Sequence, residues 1–406
     1  MLHPSPARGQ AAADADSAEP VRVFLDCDRC DFDYLRREIG FVSYVRERKS
    51  ADVHILVTTQ STGGGGVEYV FKFIGLGRFL NIDDELKYVA RETLTDDERR
   101  SGYANIVKLG LVRYVTSTAA ANRLRLVYRV DPDSAPAGTA AVHDRWNFWS
   151  FRLRGSGTVS GEKSNKSRNL STLVAANRTT DEWKVNVSSF LNFRNNEFTL
   201  SDGTLFTDAT HDHSLGGIVV KSLGKHWALA GRGRLGSTTF LNQQRAARIG
   251  AGVEYDVFPY AESSRRELTF QLTANANHFR YYEPTIYGKL SEGAADAVFQ
   301  TAFDVRQPWG SSGLSLEAAT YFNDFARHRV AGNGSLDVRL FKGFSLSLDG
   351  SASRINDQLY LKAGTASDEE ILLRRRQLAT TYRYRFSVGL SYTFGSIYNN
   401  IVNTRF

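Results

Sequence analysis

From Arg145 onward the chain repeats one pattern, in which apolar and polar residues alternate without break over long runs. Trp149, Phe151, Leu153 and Val159 alternate with Ser150, Arg152, Arg154 and Ser160. Trp183, Val185, Val187, Leu191 and Phe193 alternate with Lys184, Asn186, Ser188, Asn192 and Arg194. Later, Leu268, Phe270, Leu272 and Ala274 alternate with Thr269, Gln271, Thr273 and Asn275, and Tyr382 to Phe394 follows the same rule. Period two means β-strands with two unlike faces. Each run covers about ten residues or more, the length that crosses a bilayer as a tilted strand. Strands of soluble proteins run to about 5–6.

Twelve such strands are expected, centred near Phe151, Leu173, Val187, Val219, Leu229, Val253, Phe270, Phe303, Leu316, Leu336, Leu348 and Phe386. Their connections read as alternately short and long. The short ones are 178–182, 224–225, 259–266, 307–313 and 341–343. The long polar ones are 161–169, 195–213, 238–245, 281–293, 323–329 and 356–378. Short turns at one end and long loops at the other are the asymmetry of an outer-membrane barrel, whose short turns face the periplasm.

A closed barrel of this kind turns its apolar positions toward lipid, so the alternate positions line the lumen. The expected lumen-facing cations are Arg152, Arg154, Lys184, Arg194, Arg232, Arg234, Arg248, Arg306, Arg339, Arg383 and Arg385. The expected acids are Glu254, Asp256, Asp304, Glu317, Asp337 and Asp349. An Arg on the lipid side would cost about 2–4 kcal/mol at the midplane. The same mapping removes nucleic acid as a partner. The excess of 51 Lys+Arg over 44 Asp+Glu is spread at period two and forms no single basic patch.

Residues 21–131 follow another grammar. Val21–Leu25 reads as a strand, and an acidic turn with Cys27 and Cys30 follows it. Asp31 or Asp33 can cap a helix carrying Leu35, Ile39, Val42 and Val45 at helical spacing. Residues 52–59 and 67–73 read as a hairpin around Gly63–Gly66, and 86–89 as a further strand. Thr95 and Glu98 form a capping box before a helix with Tyr103, Ile106, Val107, Gly110, Leu111 and Tyr114 on one stripe. The expected fold class is therefore a β-barrel, a 12-stranded antiparallel transmembrane barrel preceded by a small α+β domain.

Three features of this domain have the look of chemistry. Cys27-x-x-Cys30 between strand and helix has the placement of a thioredoxin-like redox pair. Asp26, Asp28 and Asp31 oppose a thiolate there, so a local structural disulfide is expected. The aspartate run has the residue type for Ca²⁺ but lacks the Gly and closing Glu of an EF-hand loop. The glycine run precedes a strand and so forms no phosphate cradle. No cofactor is expected.

Residues 1–20 are Ala-rich toward their end and read as a signal-peptide remnant or a disordered leader. Residues 132–144, rich in small residues and Pro, read as a linker. The barrel is placed at 145–394 and a C-terminal tail at 395–406.

Ser387–Phe394 resembles the C-terminal β-signal of bacterial outer-membrane proteins, with Gly389, Tyr392 and Phe394 at the positions that carry the likeness. The resemblance implies recognition by the barrel assembly machinery, in a Gram-negative envelope. The chain departs from it by continuing to Phe406. As a whole it also resembles two-part bacterial envelope proteins, a likeness that supplies no function.

Three functions are weighed. The first is a structural or scaffold barrel in outer-membrane lipid, its periplasmic domain contacting an envelope protein partner. The second is a narrow, porin-like diffusion channel favouring anions, since cations outnumber acids in the lumen. The third is an outer-membrane hydrolase using His211, Asp212, His213 and Ser214, with His278 as another base. Adjacent strand residues point to opposite faces, which keeps those four from forming one triad. His211 and His213 share a face and have the type for a metal, with no visible third ligand. No catalytic residue and no metal site is expected.

Overall fold

The computed structural model describes residues 20–63, 65–125, 127, 144–199, 203–364, 377–396 and 398. The expected leader, the linker and most of the tail lie outside the described residues. The chain divides into two units. One holds the described residues before Asp144 with Phe341–Phe344 and those from Ser391 on; the other holds Asp144–Leu340 and Ser345–Leu390.

The N-terminal region has strands β1 (Arg22–Asp26), β2 (Ser43–Tyr44), β3 (Val53–Ser61), β4 (Val67–Gly75) and β5 (Asp84–Ala90), with helices α1 (Phe32–Glu38) and α2 (Asp96–Val115). The sheet order is β2-β1-β3-β4-β5. β1 is parallel to β2 and β3, while β3, β4 and β5 are antiparallel. Alternation puts Val23, Leu25, Val53, Ile55, Val57, Tyr69, Phe71 and Phe73 on the face that the helices cover with Leu35, Val107, Leu111 and Tyr114. Gly110 permits the close approach, because a Cβ there would lie 2.0 Å from the Phe73 ring.

The capping box forms as expected, with Glu98 N–H donating to Thr95 Oγ1 at 3.2 Å and Thr95 N–H to Glu98 Oε2 at 2.8 Å. Asp31 is the cap of α1 and accepts from the Tyr34 N–H at 2.9 Å. The first helix is shorter than its periodicity suggested. It ends at Glu38; Val42 is buried in the turn into β2, and Val45, just after β2, packs with Phe24 and Ala51. Gly40 follows the C-cap, and residues three apart fit a turn as well as a helix.

The second region is a 12-stranded antiparallel sheet, β6 (Trp149–Gly161), β7 (Asn165–Thr179), β8 (Trp183–Thr199), β9 (Leu205–Ser222), β10 (Trp227–Thr238), β11 (Gln243–Asp256), β12 (Arg266–Tyr281), β13 (Ser291–Gln307), β14 (Gly310–Tyr321), β15 (Asp324–Phe341), β16 (Phe344–Ile355) and β17 (Tyr382–Tyr392). Every expected centre falls in its own strand, and neighbours in sequence are neighbours in the sheet. β6 and β17 are the ends of the order and, among the described residues, do not pair with each other.

The loop asymmetry is the main departure. Segments 161–169, 195–213 and 323–329 are largely strand, and the turns left are as short as 162–164 and 322–323. The supposedly short connection 259–266 lies in a gap, 257–265, as long as 282–290 at the other end. Of the expected long connections, 281–293 and 356–378 fall mainly between strands, the second between β16 and β17. In the lengthened strands both faces are polar, so the alternation that marks a strand is missing while the backbone ladder continues.

Candidate functional site

Partners across an antiparallel ladder share a face, so the register assigns every side chain to one of two faces. Arg152 and Arg154 lie opposite Ala175 and Leu173, and the chain of partners leads on through Ser188, Gly216, Arg234 and Arg248 to Asn277. Lys184 and Arg194 belong to the same face, as do Arg232, Glu254 and Asp256. So do Asp304, Arg306, Glu317 and Asp337, with Arg339 two places on. Asp349 and Arg385, with Arg383 two residues before it, border a hollow of about 580 Å³ that Asp304, Ser315 and Ser335 also line. The register thus puts on one face those of the charged residues read from the alternation that lie on β6 to β15.

It also gathers charges that the alternation missed. The register adds Arg329 to the cations and Asp208, Asp212, Glu267, Glu292 and Asp296 to the acids, bringing the two signs near balance. Asp296 sits among Ala294, Ala295 and Ala297, where small residues on both faces erase the contrast. Asp208 and Asp212 fall in a segment read as loop.

Asp296 is the centre of a buried network. Its carboxylate accepts from Arg248 Nη2 at 2.7 Å, Asn275 Nδ2 at 2.6 Å and Asn277 Nδ2 at 2.8 Å, while Arg248 Nε donates to Asn277 Oδ1 at 2.6 Å. Glu317 accepts from Arg329 at 2.6 Å and Gln300 at 2.8 Å, and Gln271 donates to Glu254. Buried charges require this kind of pairing.

Next to the network, toward the end of the sheet where β12 meets β13, the polar face carries an apolar patch of Phe279, Tyr281, Tyr321, Ala246 and Ala294. The connection after β16 folds onto it and buries Leu359 at 4 % exposure. Backbone bonds pin this connection to the 282–290 turn: Ile286 N–H to the Leu361 carbonyl at 2.8 Å, and Ala363 N–H to the Pro284 carbonyl at 2.9 Å. Asn356 N–H donates to the His328 carbonyl, and Lys362 pairs with Glu283 at 2.8 Å. The described residues 356–364 are therefore a strap laid over this patch of the polar face.

The opposite face is apolar. Along β8 this face carries Trp183, Val185, Val187, Ser189, Leu191 and Phe193 before Asn195 and Glu197. Along β10 they are Trp227, Leu229, Gly231, Gly233 and Leu235. These apolar stretches match the about 9–11 residues that a tilted membrane strand needs, and the strands continue beyond them. Leu153 is 79 % exposed and Val159 80 %. All five tryptophans lie at the other end from the strap: Trp146 just before β6, Trp149, Trp183 and Trp227 as first residues of strands, and Trp309 just before β14. Lys221 caps the Trp183 ring at 4.7 Å. Amphipathic rings collected at one level are the mark of a membrane–water interface. The spacing of the tryptophans was the available signal for this rim.

His211 and His213 fall on the apolar face, opposite Phe193 and Leu191, with ring centroids 6.5 Å apart, while Asp212 and Ser214 fall on the polar one. His211 Nε2 lies 2.9 Å from Tyr282 Oη, and His278 lies 3.4 Å from Ser291 Oγ. The register does not bring these residues together. In the N-terminal region Cys27 and Cys30 form a disulfide at the corner between β1 and α1. The nearby aspartates are engaged separately: Asp26 with His54, Asp31 with Arg100 and Asp33 with Arg36. Among the described residues no three acidic, His or Cys side chains group as metal ligands. Gly389 faces β16 so closely that a Cβ would lie 2.6 Å from Ser347 Oγ, whereas Tyr392 and Phe394 are exposed.

No family model and no curated protein matches the chain. Among solved structures it is similar to the NanC porin, at 9 % identity and a TM-score of 0.28, over 60 % of this chain and 99 % of that one. It is also similar to the beta domain of the Bordetella autotransporter BrkA, at 14 % identity and a TM-score of 0.26, over 61 % of this chain and 98 % of that one. Neither superposition is close, and a functional reading rests on the two faces of the sheet.

Proposed function

We propose that the chain is an outer-membrane β-barrel with a structural or scaffold role, its interior occupied and its N-terminal domain in the periplasm, where it meets an envelope protein. The sheet's two long ends, β6 and β17, run antiparallel because the strand number is even, and pairing them would satisfy backbone groups that lipid cannot. The apolar face would then meet lipid at the tryptophan level, and the polar face would become the lumen. Delivery by the barrel assembly machinery, reading Gly389, Tyr392 and Phe394, belongs to the same reading.

The observation that supports it is the segment 356–364, which covers the apolar patch of Phe279 and Tyr281 beside the Asp296 network and so would occupy part of a lumen. Planar-bilayer recording of the purified protein tests it. Near-zero conductance is expected for the wild-type chain, and steady openings once residues 357–378 are deleted. A wild-type protein that already conducts steadily would overturn the occupied interior and favour the alternative, a narrow diffusion channel. The hollow along β13–β17 is the observation behind that alternative. With the two signs near balance, such a pore would show at most weak anion preference, fading as salt screens the fixed charges.

A further inference from the structure

The N-terminal domain holds a second polar site, unrelated to the sheet's interior. Where β1 meets the chain leading into β3, Arg22, Arg48, Lys49 and Arg78 surround a hollow of about 420 Å³, and the acid that lines it with them is Asp52. That acid does not lie open to a ligand. Its side chain is 4 % exposed, and it accepts from the Arg22 N–H at 2.9 Å, from Arg22 Nη2 at 3.0 Å and from Arg78 Nη2 at 3.3 Å. Burial alone would push this carboxyl up. The Arg22 bonds and the Arg78 and Arg22 charges outweigh burial and hold it below the usual range.

Asp52 therefore works from below as a clamp that fixes two guanidinium groups side by side. Arg48 is fixed from another direction. Its Nε donates to His54 Nδ1 at 3.1 Å, and the other ring nitrogen of that fully buried histidine meets Asp26 at 3.2 Å. Three guanidinium groups held by internal partners and one ammonium thus border a single hollow, beside one acid among the described residues. Planar forks presenting paired N–H donors match the oxygens of a phosphate group, and their fixing removes part of the ordering cost of binding.

We propose that this hollow binds a phosphate group, carried by a small soluble phosphate or by a phospholipid headgroup. Lys49 supplies mobile charge, while Arg22, Arg48 and Arg78 supply directed donors. Asp52 and the Asp26–His54 pair act as positioning groups that touch the arginines rather than the ligand.

Isothermal titration calorimetry on the full chain in a maltoside detergent at low salt tests this. The probes are inorganic phosphate, glycerol 3-phosphate and water-soluble dihexanoylphosphatidylglycerol. Saturable binding that weakens with added sodium chloride is expected. Binding of the first two alone identifies a soluble phosphate, and binding of the lipid identifies a headgroup. Arg78→Ser and Lys49→Ser should each weaken binding by about ten-fold, the loss of one charge-assisted contact. Lys49 has no role in the clamp, so its variant separates ligand contact from folding. No saturable binding of any probe, or unchanged affinity in both variants while the helical circular dichroism stays intact, would overturn the proposal.

Discussion

The two regions of this chain sort the same side chains in opposite directions. In the N-terminal domain Leu35, Val53, Phe71, Phe73 and Leu111 are fully buried, and most ion pairs lie at the surface. In the 12-stranded sheet Phe151 and Leu153 are among the most exposed residues, while Asp296 and Asn275 are among the most buried. The backbone rules are the same in both, alternation along strands and obligatory pairing of polar groups. On the reading proposed above, what differs is the solvent each surface is built for. A water-soluble domain gains by hiding apolar area, and a lipid-facing sheet must hide its charges.

The sharpest way to break this comparison is to make one change in both places. Phe71→Ala should cost about 3–5 kcal/mol, because it opens a cavity in a closed core. Phe270→Ala, on the apolar face of β12, should cost far less, because lipid fills the space. Both α-helices of the described residues lie in the N-terminal domain and all five tryptophans lie outside it. Helical circular dichroism and tryptophan fluorescence therefore follow the two regions separately in one denaturation experiment. Equal costs at the two positions would mean that the sheet's apolar face packs against protein.

A charge substitution reverses the ranking. Leu229→Arg should cost about 2–4 kcal/mol if the middle of β10 lies in lipid. Leu80→Arg, at an exposed position of the soluble domain, should stay within about 0.5 kcal/mol. The yield of folded, heat-modifiable protein in outer-membrane fractions reports the first, and the helical melt reports the second. Normal assembly of Leu229→Arg would place β10 outside the bilayer.

Much of this contrast was legible in the residues, and the parts that were not share a cause. Trp183 to Phe193 alternates because the two faces of β8 differ in polarity, so strand, centre and facing could all be read. Past Phe193 the environments become alike, the alternation fades, and 195–213 read as a loop although the ladder continues to Thr199–Leu205. Asp296 hid among alanines for the same reason. The strap over Phe279 and Tyr281 left no local signal, because its seat is assembled from β12, β13 and β14. In the soluble domain the capping box announced α2 directly, whereas α1 was overextended because Val42 and Val45 keep helical spacing while serving a strand.

A smaller effect sharpens the comparison from the soluble side. Thr95→Ala removes the hydroxyl that accepts from the Glu98 N–H, while the backbone N–H at position 95 can still donate to the Glu98 carboxylate. It should lower the stability of the domain by about 1 kcal/mol. The tryptophan-monitored transition of the sheet should not move. A coupled shift of both signals would show that the two regions unfold as one.

The smallest expected effect is a pH dependence of the soluble domain, and its sign follows from two aspartates. The Tyr34 N–H, helped by Arg100, outweighs burial and holds Asp31 below the usual carboxylate range. Asp52 is also held low, its burial outweighed by Arg22 and Arg78. A group whose folded pKa is depressed binds fewer protons folded than unfolded, so its stabilisation is complete above the unfolded value. That value is about 3.9 for an aspartate. The contribution is then lost as pH falls below it toward the lowered folded values. The urea midpoint of the helical signal should therefore be flat from neutral pH to about pH 5 and should drop near pH 3. Asp52→Asn should lower the midpoint at neutral pH and shrink the acid-induced drop, since asparagine has no proton to take up. A midpoint that rises on acidification would mean that burial, and not the arginine clamp, governs these carboxylates.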